Sequence, residues 1–206
     1  MIDPVLTQTR LTLHAVAELV LAGPQYRRSG DIRLRVCPGG FRTVTAPDLR
    51  VIGTAVVADG QRYPIGGTAV ELGAAVGVAV GEPADVYPEG CGVRVDEELV
   101  LDPDAARTIL DAYETGDAAL RLLAPDEEPI LWPEHFDVGI RVDNINFGMS
   151  PGDGFLGEPY AYVGVDPALD GAFWNAPFGA ARPMTDFADA HAVKQFFNDG
   201  RDRFTS

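Results

Sequence analysis

The sequence predicts an α+β protein, with a mostly antiparallel, twisted sheet and helices packed on it. Two observations carry this. Short segments with apolar residues at every second position recur between turn residues over 31–65 and 135–165, and a period of two is that of a half-buried strand. Segments with apolar residues at three- and four-residue spacing lie near 9–22, 102–123 and 186–198, which is the period of an amphipathic helix. The 206 residues read as a single domain, 1–206, with a possible sub-boundary near 125–130 in the Pro125 to Pro129 stretch.

In chain order, Leu13, Val16, Ala17, Val20 and Leu21 form one apolar stripe. Thr9 is the expected cap and Gly23-Pro24 the expected stop. His14 and Glu18 share a side of this helix, as residues four apart do. They read either as a ligand or acid/base pair or as a polar flank. Residues 31–36 alternate, Pro38-Gly39-Gly40 turns the chain into 41–45, and 49–57 is a further strand. Asp59-Gly60 is a hairpin signal leading into 63–65. This meander carries Arg33 and Arg35, with Arg27, Arg28 and Arg42 nearby. They read as a receiver of a carboxylate or phosphate, or as a solvated face with cross-strand ion pairs.

Thr68 and Glu71 have capping-box spacing, opening a small-residue helix to about residue 80. No glycine-rich phosphate loop is present, and Gly66-Gly67 alone does not make one. Residues 82–98 read as an acidic loop with a short strand at 92–95. Asp102-Pro103 starts a helix, which Gly116 is expected to break into two. Residues 135–142 alternate as a strand, with His135, Asp137, Gly139 and Arg141 on one face. Asp143-Asn144 is a two-residue turn into a second strand at 145–149. Ser150-Pro151-Gly152-Asp153 is a tight turn, and 160–165 is a third strand. The loop 173–179 holds three large rings, and a final helix spans 186–198.

The net charge of −15 is uneven: residues 1–64 hold eight Arg against five acids, and 65–206 hold eight basic against 26 acidic groups. This balance argues against nucleic acid or an anionic membrane as the main partner. It fits a soluble acidic protein kept dispersed by self-repulsion. No apolar run reaches the roughly 18 residues of a membrane span, and the start of the chain lacks the pattern of a secretory signal. Cys37 and Cys91 show no metal-ligand spacing, which argues against a zinc ribbon, and they read as thiols in a reducing cytoplasm, with a lone disulfide as the alternative.

The densest stretch is 131–163. Its residues Leu131-Trp132-Pro133-Glu134-His135-Phe136-Asp137, then Asn146-Phe147-Gly148-Met149-Ser150-Pro151-Gly152-Asp153, then Glu158-Pro159-Tyr160-Ala161-Tyr162-Val163 resemble the motif series LWPxHFD, NFGxSPGD and EPYxYV of an uncharacterised bacterial protein family. Thr12-Leu13-His14 is similar to a further element of that family. The resemblance implies a conserved unit and no particular chemistry.

His135 and Asp137 are the candidate catalytic residues. A His beside a carboxylate can act as a general base. The same two residues are the first choice for a metal if one binds, although a third ligand is then needed. Asp153, Glu158, Glu18 and His14 are the reserves for that role. Arg141, Asn146 and Asp153 are candidate polar ligand-binding groups, and Trp132, Tyr160, Tyr162 and Trp174 candidate pocket walls. The expected function is small-molecule binding or catalysis, with the ligand, cofactor and oligomeric state left open. The alternative is a non-catalytic interaction or scaffold protein in which His135 bridges backbone groups and Asp137 ties down a turn. No nucleophile elbow or zinc-protease motif is present.

Overall fold

The computed structural model describes residues 3–88, 90–167 and 169–205. Its centre is one ten-stranded antiparallel sheet in the order β10-β9-β8-β7-β6-β1-β2-β3-β4-β5. The fold is α+β. Strands β1 (Leu34–Cys37), β2 (Gly40–Thr43), β3 (Leu49–Ile52), β4 (Ala55–Ala58) and β5 (Gln61–Pro64) form one meander. Strands β6 (Ile130–Trp132), β7 (Asp137–Val142), β8 (Ile145–Ser150), β9 (Tyr160–Gly164) and β10 (Gly179–Pro183) form the other. The two meanders join where β1 pairs with β6, with Leu34 opposite Leu131. One sheet therefore runs through both sides of the 125–130 connection.

The chain opens as three successive helical segments: α1 (Pro4–Ala15), a π-helical segment (Val16–Ala22) and α2 (Gly23–Ser29). Asp3, not Thr9, caps α1, its carboxylate accepting from Val5 N at 2.9 Å. Thr9 is interior and buried, and its hydroxyl accepts from Asp102 N at 3.1 Å, tying α1 to the cap of the long helix that begins at Pro103. Gly23-Pro24 does not stop the helix. The widened turn lets Gly23 N–H reach Glu18 O, five residues back. Pro24 has no N–H to offer, and the Leu19 carbonyl accepts instead from Gly81 N at 2.9 Å.

Strand boundaries follow the turn chemistry. The expected strand at 49–57 is two strands, β3 and β4, because Gly53 takes φ +58 and turns the chain. Asp143 and Asn144 take φ +53 and +64, as a two-residue hairpin requires. Helix α3 (Ala69–Ala75) keeps its capping box but is shorter than expected, and 92–95 is not a strand.

Helix α4 (Pro103–Leu123) is continuous through Gly116. The glycine serves close packing instead: a Cβ there would lie 2.6 Å from Met149 Cβ on β8. Helix α5 (Ala190–Thr205) begins later than the sequence suggests and runs further, after a 3₁₀ turn at Met184–Asp186. β10 was not foreseen.

Helices α1, α4, α5 and the π-helical segment cover one sheet face. Leu34, Phe41, Leu131, Val138, Phe147, Met149 and Val163 point into that core and are at most 0% exposed. Transferring such side chains from water contributes on the order of 1.5–3 kcal/mol each. The opposite face carries no helix, so what lies on it is decided by the alternate residues of each strand.

Candidate functional site

The open face of β6 to β9 is a groove whose rows follow from the strand register. Trp132 stands opposite Asp137, Gly139 opposite Gly148 and Gly148 opposite Tyr162. Ser150 stands opposite Tyr160, and Arg141 opposite Asn146. The missing side chains at Gly148 and Gly139 let Tyr162 lie flat across the sheet. A Cβ on Gly148 would sit 2.4 Å from Tyr162 Cζ and Oη, and one on Gly139 would sit 3.3 Å from that hydroxyl. Glycine inside a strand marks such a close approach.

One end of the groove is a cavity of about 420 Å³ lined by Glu134, His135, Asp137, Ser150, Asp153, Tyr160, Tyr162 and Phe178. It adjoins a second hollow of about 590 Å³ that shares five of these residues and adds Trp132, Arg141 and Asn146. Three rings wall the first cavity. Tyr160 lies nearly parallel to Phe178 at 6.4 Å, and Tyr162 meets Phe178 edge-on at 6.2 Å.

The polar groups point inward in two sets. The Tyr160 hydroxyl donates to Asp153 Oδ2 at 2.6 Å, while Asp153 Oδ1 accepts from Phe155 N at 2.8 Å. The Tyr162 hydroxyl donates to Asp137 Oδ2. Asp137 Oδ1 is shut from water and has no hydrogen-bond partner. Burial raises the Asp137 pKa, and the bond from Tyr162 and the nearby His135 oppose that rise only in part. Burial likewise pushes the Tyr162 phenol well above its usual range. One other buried polar atom among the described residues lacks a partner, Arg10 Nη1. Arg10 lies on α1, outside the cavity lining, and its charge is felt by Asp153, Tyr113 and Tyr160.

His135 is not on the strand. Residues 133–136 form the turn between β6 and β7, because Phe136 takes φ +54. That conformation is strained for a bulky residue. Packing holds it: the buried Phe136 ring stacks on His14 at 5.1 Å and meets Tyr113 and Phe41 edge-on at 5.4 and 5.7 Å. The Tyr113 hydroxyl donates to Phe136 O. His14 Nε2 donates to Pro133 O at 2.6 Å, and burial lowers the His14 pKa, so its neutral form is favoured. His135 itself is 74% exposed, with Nε2 3.3 Å from Glu134 Oε1. It lines the cavity mouth, while Asp137 lies at its floor.

The groove thus gathers Trp132, His135, Asp137, Arg141, Asn146, Asp153, Tyr160 and Tyr162. Trp174 must be removed from this set. It packs on Phe173 at 4.9 Å, which in turn meets Phe196 of α5, so it belongs to the helix-covered face. The alternation of 173–179 is too irregular to assign a face.

Glu18 is also elsewhere: it is buried, and its carboxylate accepts from Tyr87 Oη at 2.8 Å and Cys91 N at 2.6 Å. Glu158 lines a separate hollow of about 800 Å³ beside α1 and α4. Among the described residues no three His, Cys, Asp or Glu side chains are grouped to hold a metal ion.

Cys37 and Cys91 are not joined, and burial with the bond to Glu18 pushes the Cys91 thiol up to about 12. That disfavours the reactive thiolate. The arginines of the first meander have separate partners: Arg27 donates to backbone carbonyls, Arg33 pairs with Asp31 at 2.7 Å, and Arg35 pairs with Glu128.

Sequence reasoning passed over Glu134, Ser150 and Phe178 as site residues. Gly139 and Gly148 were the available signal, since neither fits a strand that only needs to be filled. Comparison with protein-family models, curated proteins and solved structures finds no match to this chain.

Proposed function

We propose that this chain binds a small molecule in the groove on the open face of β6 to β9, with Asp137 as its central polar contact. The observation that carries this is Asp137 itself. A carboxylate oxygen without a partner, closed off from water, costs free energy on the order of 1–3 kcal/mol. A chain that only needed a stable sheet would gain by placing a neutral residue there. Around it stand aromatic walls, two hollows in contact and a further unpaired polar residue, Arg141, four residues along the strand and so roughly 13 Å away. Concave, aromatic-lined spaces with a few convergent polar groups are the usual form of a ligand site. A buried group with a shifted pKa in a cleft is also the usual form of an acid/base. Asp137 is therefore the residue that would exchange a proton with the ligand if a reaction follows. His135, at the mouth, is placed to meet ligand as it enters.

The two free thiols fit a reducing cytoplasm. Among the described residues no helix is long and apolar enough to cross a membrane.

The test is native mass spectrometry of the protein as purified, without chelator, beside the Asp137→Asn and His135→Ala variants. The expected result is an added organic mass on the wild type that Asp137→Asn loses while its far-UV circular dichroism is unchanged. Retention of that mass by both folded variants would move the ligand away from this groove.

A further inference from the structure

We infer that the occupant of the 420 Å³ cavity is a protonated amine carried on an apolar body, its charge held among the carboxyl groups of Asp137, Glu134 and Asp153 beside the rings of Tyr160, Tyr162 and Phe178. This rests on the groove being a ligand site and names the class of ligand.

Four features of the lining point to this class. The first is the direction of the hydrogen bonds. Both phenols already donate their protons, Tyr160 to Asp153 and Tyr162 to Asp137. Ser150 Oγ accepts from Gly152 N at 3.2 Å. What the lining then offers to a ligand is mostly lone pairs, the Ser150 hydroxyl and the imidazole of His135 being the exceptions. A ligand that complements it must bring N–H or O–H donors.

The second is charge. Three carboxyl groups line this cavity and no Arg or Lys does. A carboxylate or phosphate ligand would have to be desolvated against them, whereas an ammonium group is attracted. The third is the rings. A cation over an aromatic face gains on the order of 0.5–2 kcal/mol, and the same faces cover the apolar body of the ligand. The fourth is the Asp137 carboxyl group, whose Oδ1 has nothing donating to it and whose Oδ2 is met by the Tyr162 hydroxyl. No cation offsets its charge within the lining. An ammonium group in the cavity supplies one. The exposed Arg141, outside this cavity and in the adjoining hollow, is placed for an acidic group at the far end of a longer ligand.

The experiment compares three probes of one shape, benzylamine, benzyl alcohol and benzoate, on the full chain by isothermal titration calorimetry and by ¹H–¹⁵N NMR. Benzylamine is expected to bind and to shift the amides of Asp137, Gly148 and Tyr162, with benzyl alcohol at least tenfold weaker and benzoate without effect. Asp137→Asn is expected to lower benzylamine affinity tenfold or more. If that variant does not fold, Glu134→Gln, which leaves the buried oxygen in place, is expected to lower it severalfold. Binding of benzoate or of benzyl alcohol at this groove as tightly as benzylamine overturns the amine while leaving the groove as a ligand site. The absence of any shift at these amides with all three probes overturns both. An affinity for benzylamine that neither folded variant changes also overturns the assignment.

Discussion

The two halves of the open sheet face carry opposite chemistry on the same architecture. Across β1, β2, β3 and β5 the register aligns Arg35, Arg42, Arg50 and Arg62 in one row, interrupted only by Val57 on β4. Across β6 to β9 the corresponding face holds the Asp137 and tyrosine groove. By charge alone the arginine row is the more conspicuous feature. Yet its cations stay near water and find ordinary partners: Arg35 pairs with Glu128, Arg50 with Asp48 at 3.1 Å, and Arg62 donates to Ile52 O at 3.0 Å. The groove holds no fewer charges, but at Asp137 the hydrogen bond from Tyr162 runs inward and one carboxylate oxygen is withdrawn from solvent and left over. Desolvation and geometry distinguish a site from a charged surface, because the same charge interacts far more strongly where water is excluded.

This contrast can be broken from the groove side. Phe136→Ala removes the ring that holds the strained turn and opens the core between α1 and α4. It should destabilise by about 3–5 kcal/mol, read by urea denaturation, and no substitution of an arginine in the row should approach that. Gly148→Val places a side chain beneath Tyr162. The expected cost is about 1–3 kcal/mol from overpacking, with a change in tyrosine near-UV circular dichroism as the ring is displaced. An unchanged spectrum would mean that Tyr162 does not lie over Gly148.

Asp137→Asn tests the electrostatics with a sign. The folded pKa of Asp137 is raised by burial, so stability from this group is full below the unfolded carboxyl value and is lost as pH rises through the folded pKa. The variant should therefore melt above the wild type at neutral pH, by about 2–4 °C, and the gain should vanish in acid. A lower melting temperature at every pH would show that Asp137 is there to hold the turn.

On the other half, Arg42→Gln relieves like-charge neighbours on both sides. The effect should be a gain of no more than about 0.5 kcal/mol, measured by urea denaturation at low salt, and it should shrink as salt screens the row.

Much of the site was legible because strand alternation assigns faces locally. Asp137, Gly139 and Arg141 were expected on one face and are found there, and so were the turn at Asp143-Asn144 and the strand that carries Tyr160 and Tyr162. His135 was misplaced on the strand because alternation carries no information about φ. The sign of φ at Phe136 is fixed by rings from α1, β2 and α4, far away in sequence. The same limit applies to Gly116, where composition suggests a break and the approach of Met149 explains the residue.

By itself the sequence determined the class of the fold, most of its turns and the identity of the residues on one strand face, since these follow from periods and caps spanning a few residues. Only the tertiary structure decided that β1 meets β6, that no helix covers the second face and that Trp174 packs with the helices. It alone leaves one oxygen of Asp137 buried without a partner, because solvent exclusion is a property of all the elements around a group and is written in none of them singly.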